Sequence, residues 1–158
     1  MFISICTLVV FLYQTDLIRE QQYMSVYPHL ALENHGTHSP NYRYVLQNKG
    51  IGPALIKSVQ VKTKQGKTYD DIVSYVEASL NQKGGSTFSY SYSNLFSGQL
   101  VPANSHIDII RINDSTMHIA DQLFQILHKD GLDIRIEYES IYGECWEMAN
   151  HPGAPKKK

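Results

Sequence analysis

The chain is poor in the residues most chemistry needs. Of its 158 residues only two are cysteine, Cys6 and Cys145, and neither belongs to a Cys-x-x-Cys pair. A cysteine-built zinc site or a dithiol redox motif is therefore excluded. Cys145 stands between Glu144 and Glu147 with no base beside it in sequence, which is not the setting of a nucleophilic thiol. Basic residues number 14 against 15 acids, giving a net charge of −1 and a pI near 6.6. That balance lacks the cationic excess of a nucleic-acid binder. There is no His-Glu-x-x-His, no Gly-x-Ser-x-Gly elbow and no phosphate-binding glycine loop ending in Lys-Ser/Thr. Internal repeats are missing too. So is an unbroken apolar run of about twenty residues, the usual length of a membrane span.

An apolar N-terminal segment is nonetheless present. Met1 to Thr15 carries no charged side chain, most of Phe2 to Tyr13 is apolar, and Asp16, Arg19 and Glu20 end the run. No basic stretch precedes it and no small-x-small site closes it, which argues against a cleaved signal peptide. It reads as a membrane helix lacking upstream residues, as a short or tilted anchor, or as a core helix. The membrane reading is carried forward: a single-pass anchor and exit segment over residues 1–26, with the membrane as a partner through this helix. The lysine and arginine balance assigns no side of the membrane. At the other end, Lys156, Lys157 and Lys158 follow a Pro/Gly stop and read as a disordered basic tail over 150–158.

The residues between, 27–149, make one domain of ordinary size. Tyr27-Pro28 stops the first helix. Strands are expected over His29–Glu33, Tyr42–Gln47 and Leu55–Lys64, with a polar loop at 34–41. Between the second and third strands lies Asn48-Lys49-Gly50-Ile51-Gly52-Pro53-Ala54. Its glycines suit unusual backbone angles and Pro53 removes a ladder donor, so the chain must reverse or cross over here. Thr68 and Asp71 mark the start of a short amphipathic helix over Tyr69–Leu80. The polar stretch 82–93 reads as a loop with an edge strand. A short strand over 98–103 and a stronger one over His106–Ile112 follow. A second helix, capped by Asp114 or Ser115, places Ala120, Leu123, Phe124 and Leu127 on one face. Leu132–Tyr138 alternates cleanly, and Ile141–Met148 extends it after a bend at Gly143. Strands in runs without βαβ spacing predict a mainly β fold: an immunoglobulin-like antiparallel β-sandwich with two short helical insertions.

Several segments carry a family resemblance. They are the apolar start, Gln21-Gln22, Ser25-Val26-Tyr27-Pro28, the Asn48 to Ala54 turn, Tyr138-Glu139-Ser140 and Glu144-Cys145-Trp146. In these the chain resembles a group of uncharacterised membrane-anchored bacterial proteins. The resemblance implies a membrane-anchored β-sandwich and carries over no catalytic residue. Members of the group often have a further cysteine before the Glu-Cys-Trp segment, where this chain has Tyr138 and Ser140.

Candidate sites are few. His35 and His38 stand three apart on a loop, with His29 nearby, and two imidazoles at that spacing can chelate; a complete metal site needs three or four ligands. Asp70-Asp71 sits at a helix start, where adjacent residues do not face one another. Asn48, Gly50, Gly52 and Pro53 are structural turn residues. Tyr90 and Tyr92, in a Tyr-Ser-Tyr-Ser run, have the composition of a contact surface. No catalytic constellation and no cofactor motif is present. The expected function is a non-enzymatic, membrane-anchored interaction or accessory module with a protein partner and no nucleic acid. Two alternatives are a metal-dependent binder or enzyme using His29, His35 and His38, and a structural subunit of an envelope complex.

Overall fold

The computed structural model describes residues 2–82, 89–113, 117–151 and 153–158. Among them are three helices and ten strands, all paired antiparallel, in two sheets. The first sheet contains β1 (Leu30–His35), β2 (Arg43–Asn48), β5 (Tyr90–Tyr92) and β7 (His106–Ile112), in the order β1-β2-β7-β5. The second runs β10-β9-β8-β3-β4: β3 (Ala54–Lys62), β4 (Thr68–Tyr69), β8 (Asp133–Glu139), β9 (Cys145–Ala149) and β10 (Lys156–Lys157). The short β6 (Leu100–Val101) also pairs with β3.

Both sheets contribute to one hydrophobic cluster. Leu30, Tyr42, Tyr44, Leu46, Ile109 and Ile110 come from the first sheet and its entry; Ile56, Val61, Ile134, Ile136 and Tyr138 come from the second. The alternation of β8 explains its placement, since Ile134, Ile136 and Tyr138 are buried while the residues between them are not. Helices α2 (Ile72–Gln82) and α3 (Met117–Leu127) close the cluster with Ile72, Val73, Val76, Leu80, Ala120, Leu123, Ile126 and Leu127. Asp71 caps α2: its carboxylate accepts from the Ser74 N–H at 2.8 Å and from the Ser74 hydroxyl at 2.6 Å. The expected hydroxyl cap, Thr68, lies instead in β4. The expected cap of α3, Asp114 or Ser115, lies outside the described residues. Gly143, at φ +78°, allows a reversal, so the segment after it forms the separate strand β9 and does not prolong β8.

The N-terminal helix α1 (Phe2–Met24) corrects the expected anchor. Among the described residues no helix is long and apolar enough to cross a membrane. The apolar run stops at Tyr13, and Gln14, Asp16, Arg19, Glu20, Gln21 and Gln22 break up the rest of α1. A span needs about 20 apolar residues. The single-pass, membrane-anchored assignment is therefore withdrawn, and with it the membrane as a partner through this helix.

The tail also differs from expectation. Lys156 and Lys157 form β10, paired with Glu147 and Trp146 of β9. Lys158 bonds Glu137 and lies 3.0 Å from Glu147. Glu137 and Glu147 on the outer face of the second sheet draw Lys158 in, and Glu144 draws in Lys157, a long-range effect that local charge counting does not contain.

Candidate contact surface

The crossover from β2 to β3 organises the end of the molecule where α1 joins. Asn48 is fully buried. Its side-chain amide donates to the Gly52 carbonyl at 2.8 Å and to the Val101 carbonyl at 3.1 Å. Its carbonyl oxygen accepts from the N–H groups of Gly50 at 3.0 Å and His29 at 3.2 Å. A buried amide with every bond made holds its surroundings in one arrangement. The two glycines are needed for close approach, not for unusual angles. A Cβ on Gly50 would sit 2.3 Å from the Tyr27 carbonyl oxygen, and one on Gly52 only 1.8 Å from that of Val26. Neither has a positive φ. Pro53 precedes β3 and lies outside its ladder.

The crossover thus clamps residues 26–29 against the sheets. The Tyr138 hydroxyl adds a second clamp, donating to the Pro28 carbonyl at 3.4 Å and accepting from the Leu30 N–H at 3.5 Å. Burial pushes its phenol well above the ordinary tyrosine range. Clamping 26–29 aims Tyr27 at the second sheet. Its ring meets Trp146 of β9 edge to face, with centroids 4.8 Å apart. Burial raises the Tyr27 phenol as well.

Tyr27 and Trp146 form the floor of an open cleft of about 410 Å³. Glu20, Tyr23 and Met24 of α1 supply one wall, and Glu144 and Lys157 the other. Tyr23 is itself held by Tyr142 in the β8–β9 turn, edge to face at 5.3 Å. Lys157 bonds the Glu144 carboxylate, and its Nζ lies 5.7 Å from the centre of the Trp146 ring. The Trp146 Nε1 is buried and has no hydrogen-bond partner among the described residues. Sequence reading missed this cleft. Its only sequence signal is the alternation that puts Trp146 and Met148 on one side of β9.

Above the cleft α1 carries a large apolar surface. Ile5, Leu8, Val9, Val10, Phe11, Leu12 and Tyr13 are all more than half exposed, Phe11 at 66 %. They occur on every side of the helix, so no single face could bury them.

The tyrosines singled out in sequence lie at the opposite edge of the first sheet. β5 is the outermost strand there, pairing with β7 at Tyr90 opposite Ile112. Tyr92 is half exposed, and its ring is 6.1 Å from that of Tyr90. Burial raises the Tyr90 phenol, with Glu77 adding to the effect. The Gly84-Gly85 and Phe88 part of this loop lies outside the described residues.

His29 and His35 are not brought together. His29 precedes β1 and His35 ends it, about 20 Å apart along an extended strand. His29 faces the Tyr27 hydroxyl at 3.4 Å, His35 lies 3.5 Å from Glu33, and His38 bonds Asp121 at 2.6 Å. His128 stacks on Phe124 at 4.1 Å, and His106 lies 3.8 Å from Asp108. Among the described residues no group of three or more His, Cys, Asp or Glu could hold a metal ion. Both cysteines are free and exposed.

No protein-family profile, curated protein or solved structure matches the chain.

Proposed function

We propose that this protein is a non-enzymatic interaction module, an immunoglobulin-like sandwich that presents an apolar helix to a protein partner. The observation that carries the reading is the exposed apolar surface of α1. A helix apolar on all sides is normally covered in its working state, and exposed apolar patches of this extent mark association sites. The clamps on residues 26–29 support it, because they fix the helix exit to the domain.

Strand order supports the fold half of the proposal. β1-β2-β7-β5 follows the A-B-E-D sheet of an immunoglobulin domain, and β9-β8-β3-β4 follows G-F-C with one added strand. The helices α2 and α3 then occupy two of the loops between strands. The chain departs from antibody domains in lacking the inter-sheet disulfide and the tryptophan on the third strand. Tyr90 and Tyr92, on an outer strand, offer a second contact surface.

A photo-crosslinking residue at Val9, activated in the producing cell, tests the function. The expected result is one discrete protein adduct that the double variant Phe11→Gln/Leu12→Gln loses. Protein that stays adduct-free would overturn the reading.

A further inference from the structure

We propose that the cleft between α1 and β9 recognises a lysine side chain carried by an extended partner segment that pairs with β9. Lys157 of the protein's own tail fills that place in the structure. This inference rests on the interaction-module reading and names the chemistry of one partner segment.

The strand register places a lysine where an apolar residue belongs. Tyr138, Trp146 and Lys157 stand opposite one another on β8, β9 and β10, so their side chains share one face of the sheet. That face is the inner one, since Tyr138 is in the core. An apolar side chain is the ordinary occupant of an inner position. Here it is a lysine, and its surroundings suit an ammonium group. The Trp146 ring offers its face at 5.7 Å, and the Glu144 carboxylate, itself mostly buried, accepts a hydrogen bond. Tyr27, Tyr23 and Met24 supply apolar walls for a four-carbon stem, and Glu20 adds a second carboxylate to the lining. Aromatic faces and carboxylates around a small cleft are the arrangement that binds ammonium ions. Among the described residues of the lining, Lys157 is the one cation against two glutamates.

The Lys157 side chain is also open to replacement from solvent. Among the described residues β10 pairs with β9 at Trp146 and Glu147, the Lys158 N–H bonds the Cys145 carbonyl, and Lys158 pairs with Glu137 and Glu147. The Lys157 side chain is 58 % exposed. A longer strand presenting lysine at the same register would make the same contacts and extend the ladder, the usual mode of strand addition at a free edge. An inward lysine on an edge strand also serves to discourage such pairing. The two roles make opposite predictions once the lysine is removed.

Trp146 is the only tryptophan in the chain, so its emission reports this cleft alone. The full-length Lys157→Ala variant would be titrated with the acetylated, amidated peptide Pro-Lys-Lys-Lys, and with the same peptide carrying norleucine at the middle lysine. The expected result is a Trp146 emission change with the lysine peptide, about ten-fold tighter than for the intact chain and about ten-fold tighter than for the norleucine peptide. Adding Glu144→Gln should weaken it by a similar factor. Near-ultraviolet circular dichroism checks the fold, and Lys157→Met, which keeps the stem, replaces the alanine variant if that one is disordered. No emission change, or equal response to the two peptides, would overturn lysine recognition. Equal affinity in intact and variant chains would overturn Lys157 as the resident occupant. A Val9 adduct that persists while the cleft fails leaves the interaction module standing without this site.

Discussion

The crossover at 48–54 and the tail at 153–158 both hold a stretch of chain against the sheets outside the long ladders, and they do so with opposite chemistry. The crossover uses a buried neutral amide, four hydrogen bonds to the Asn48 side chain and two glycines at backbone contact distance. The tail uses lysines on glutamates at the surface. Buried hydrogen bonds are costly to leave unmade, whereas exposed ion pairs contribute little and are screened by salt. Two attachments that meet at the same Tyr27–Trp146 contact thus differ in strength, the crossover fixed and the tail weakly held.

The largest expected effect is at Gly52. Gly52→Ala places a methyl 1.8 Å from a backbone oxygen that cannot rotate away, and should destabilise the domain by about 3 kcal/mol or more in urea unfolding. A loss under about 0.5 kcal/mol would show that the clamp on Val26 is not rigid. Asn48→Ala should come next, at about 2–3 kcal/mol, since it strands the Gly52 and Val101 carbonyls. Alkaline titration follows. Burial raises the phenols of Tyr42, Tyr44 and Tyr138, so the folded state keeps protons that the unfolded chain loses. Their contribution is complete below the unfolded value near pH 10 and falls above it by about 1.4 kcal/mol per tyrosine per pH unit. Tyr138→Phe should remove its share of that slope.

The tail should respond only locally. Lys158 bonds Glu137 and thereby lowers its carboxyl. That contribution is present above the unfolded glutamate value and is lost as pH falls through the lower folded one. Below about pH 4 the Trp146 emission should change before the unfolding transition. About 1 M salt at neutral pH should have the same local effect and leave the urea midpoint of Asn48→Ala relative to wild type unchanged. A tail unmoved by both would erase the contrast.

Much of the sheet framework was legible from alternation, because one buried face writes its period into the sequence. β8 and the apolar faces of α2 and α3 were readable for that reason, whereas β7 buries the adjacent Ile109 and Ile110 and was readable from its β-branched run. The crossover was recognised as a turn, but its glycines were assigned to backbone angles when the demand is contact with residues 26–28. Such contact is made across the fold and leaves no local trace. The same holds for β10, whose pairing depends on Glu137, Glu144 and Glu147. α1 misled for a different reason. Its apolar composition is plain, but a uniform composition has no period and says nothing about what covers it. Tyr90 and Tyr92 were located in sequence, whereas the cleft around Trp146 joins four segments that only the fold brings together.

The order of strands has a consequence during synthesis. β3 is paired by β8, with Leu55 opposite Glu139 and Lys62 opposite Asp133, while α2, β5, β7 and α3 are all made in between. A growing chain can close the β1–β2 hairpin early, but the central strand of the second sheet must wait for most of the remaining residues to leave the ribosome. Through that interval, among the described residues, the short strands β4 and β6 cover only the two ends of β3, at Val61–Lys62 and Ala54–Leu55, and Val59 between them has no neighbour strand. Long-range pairing of this kind slows folding and lengthens exposure to aggregation. The middle of β3 therefore stays unpaired from the emergence of Lys62 until that of β8.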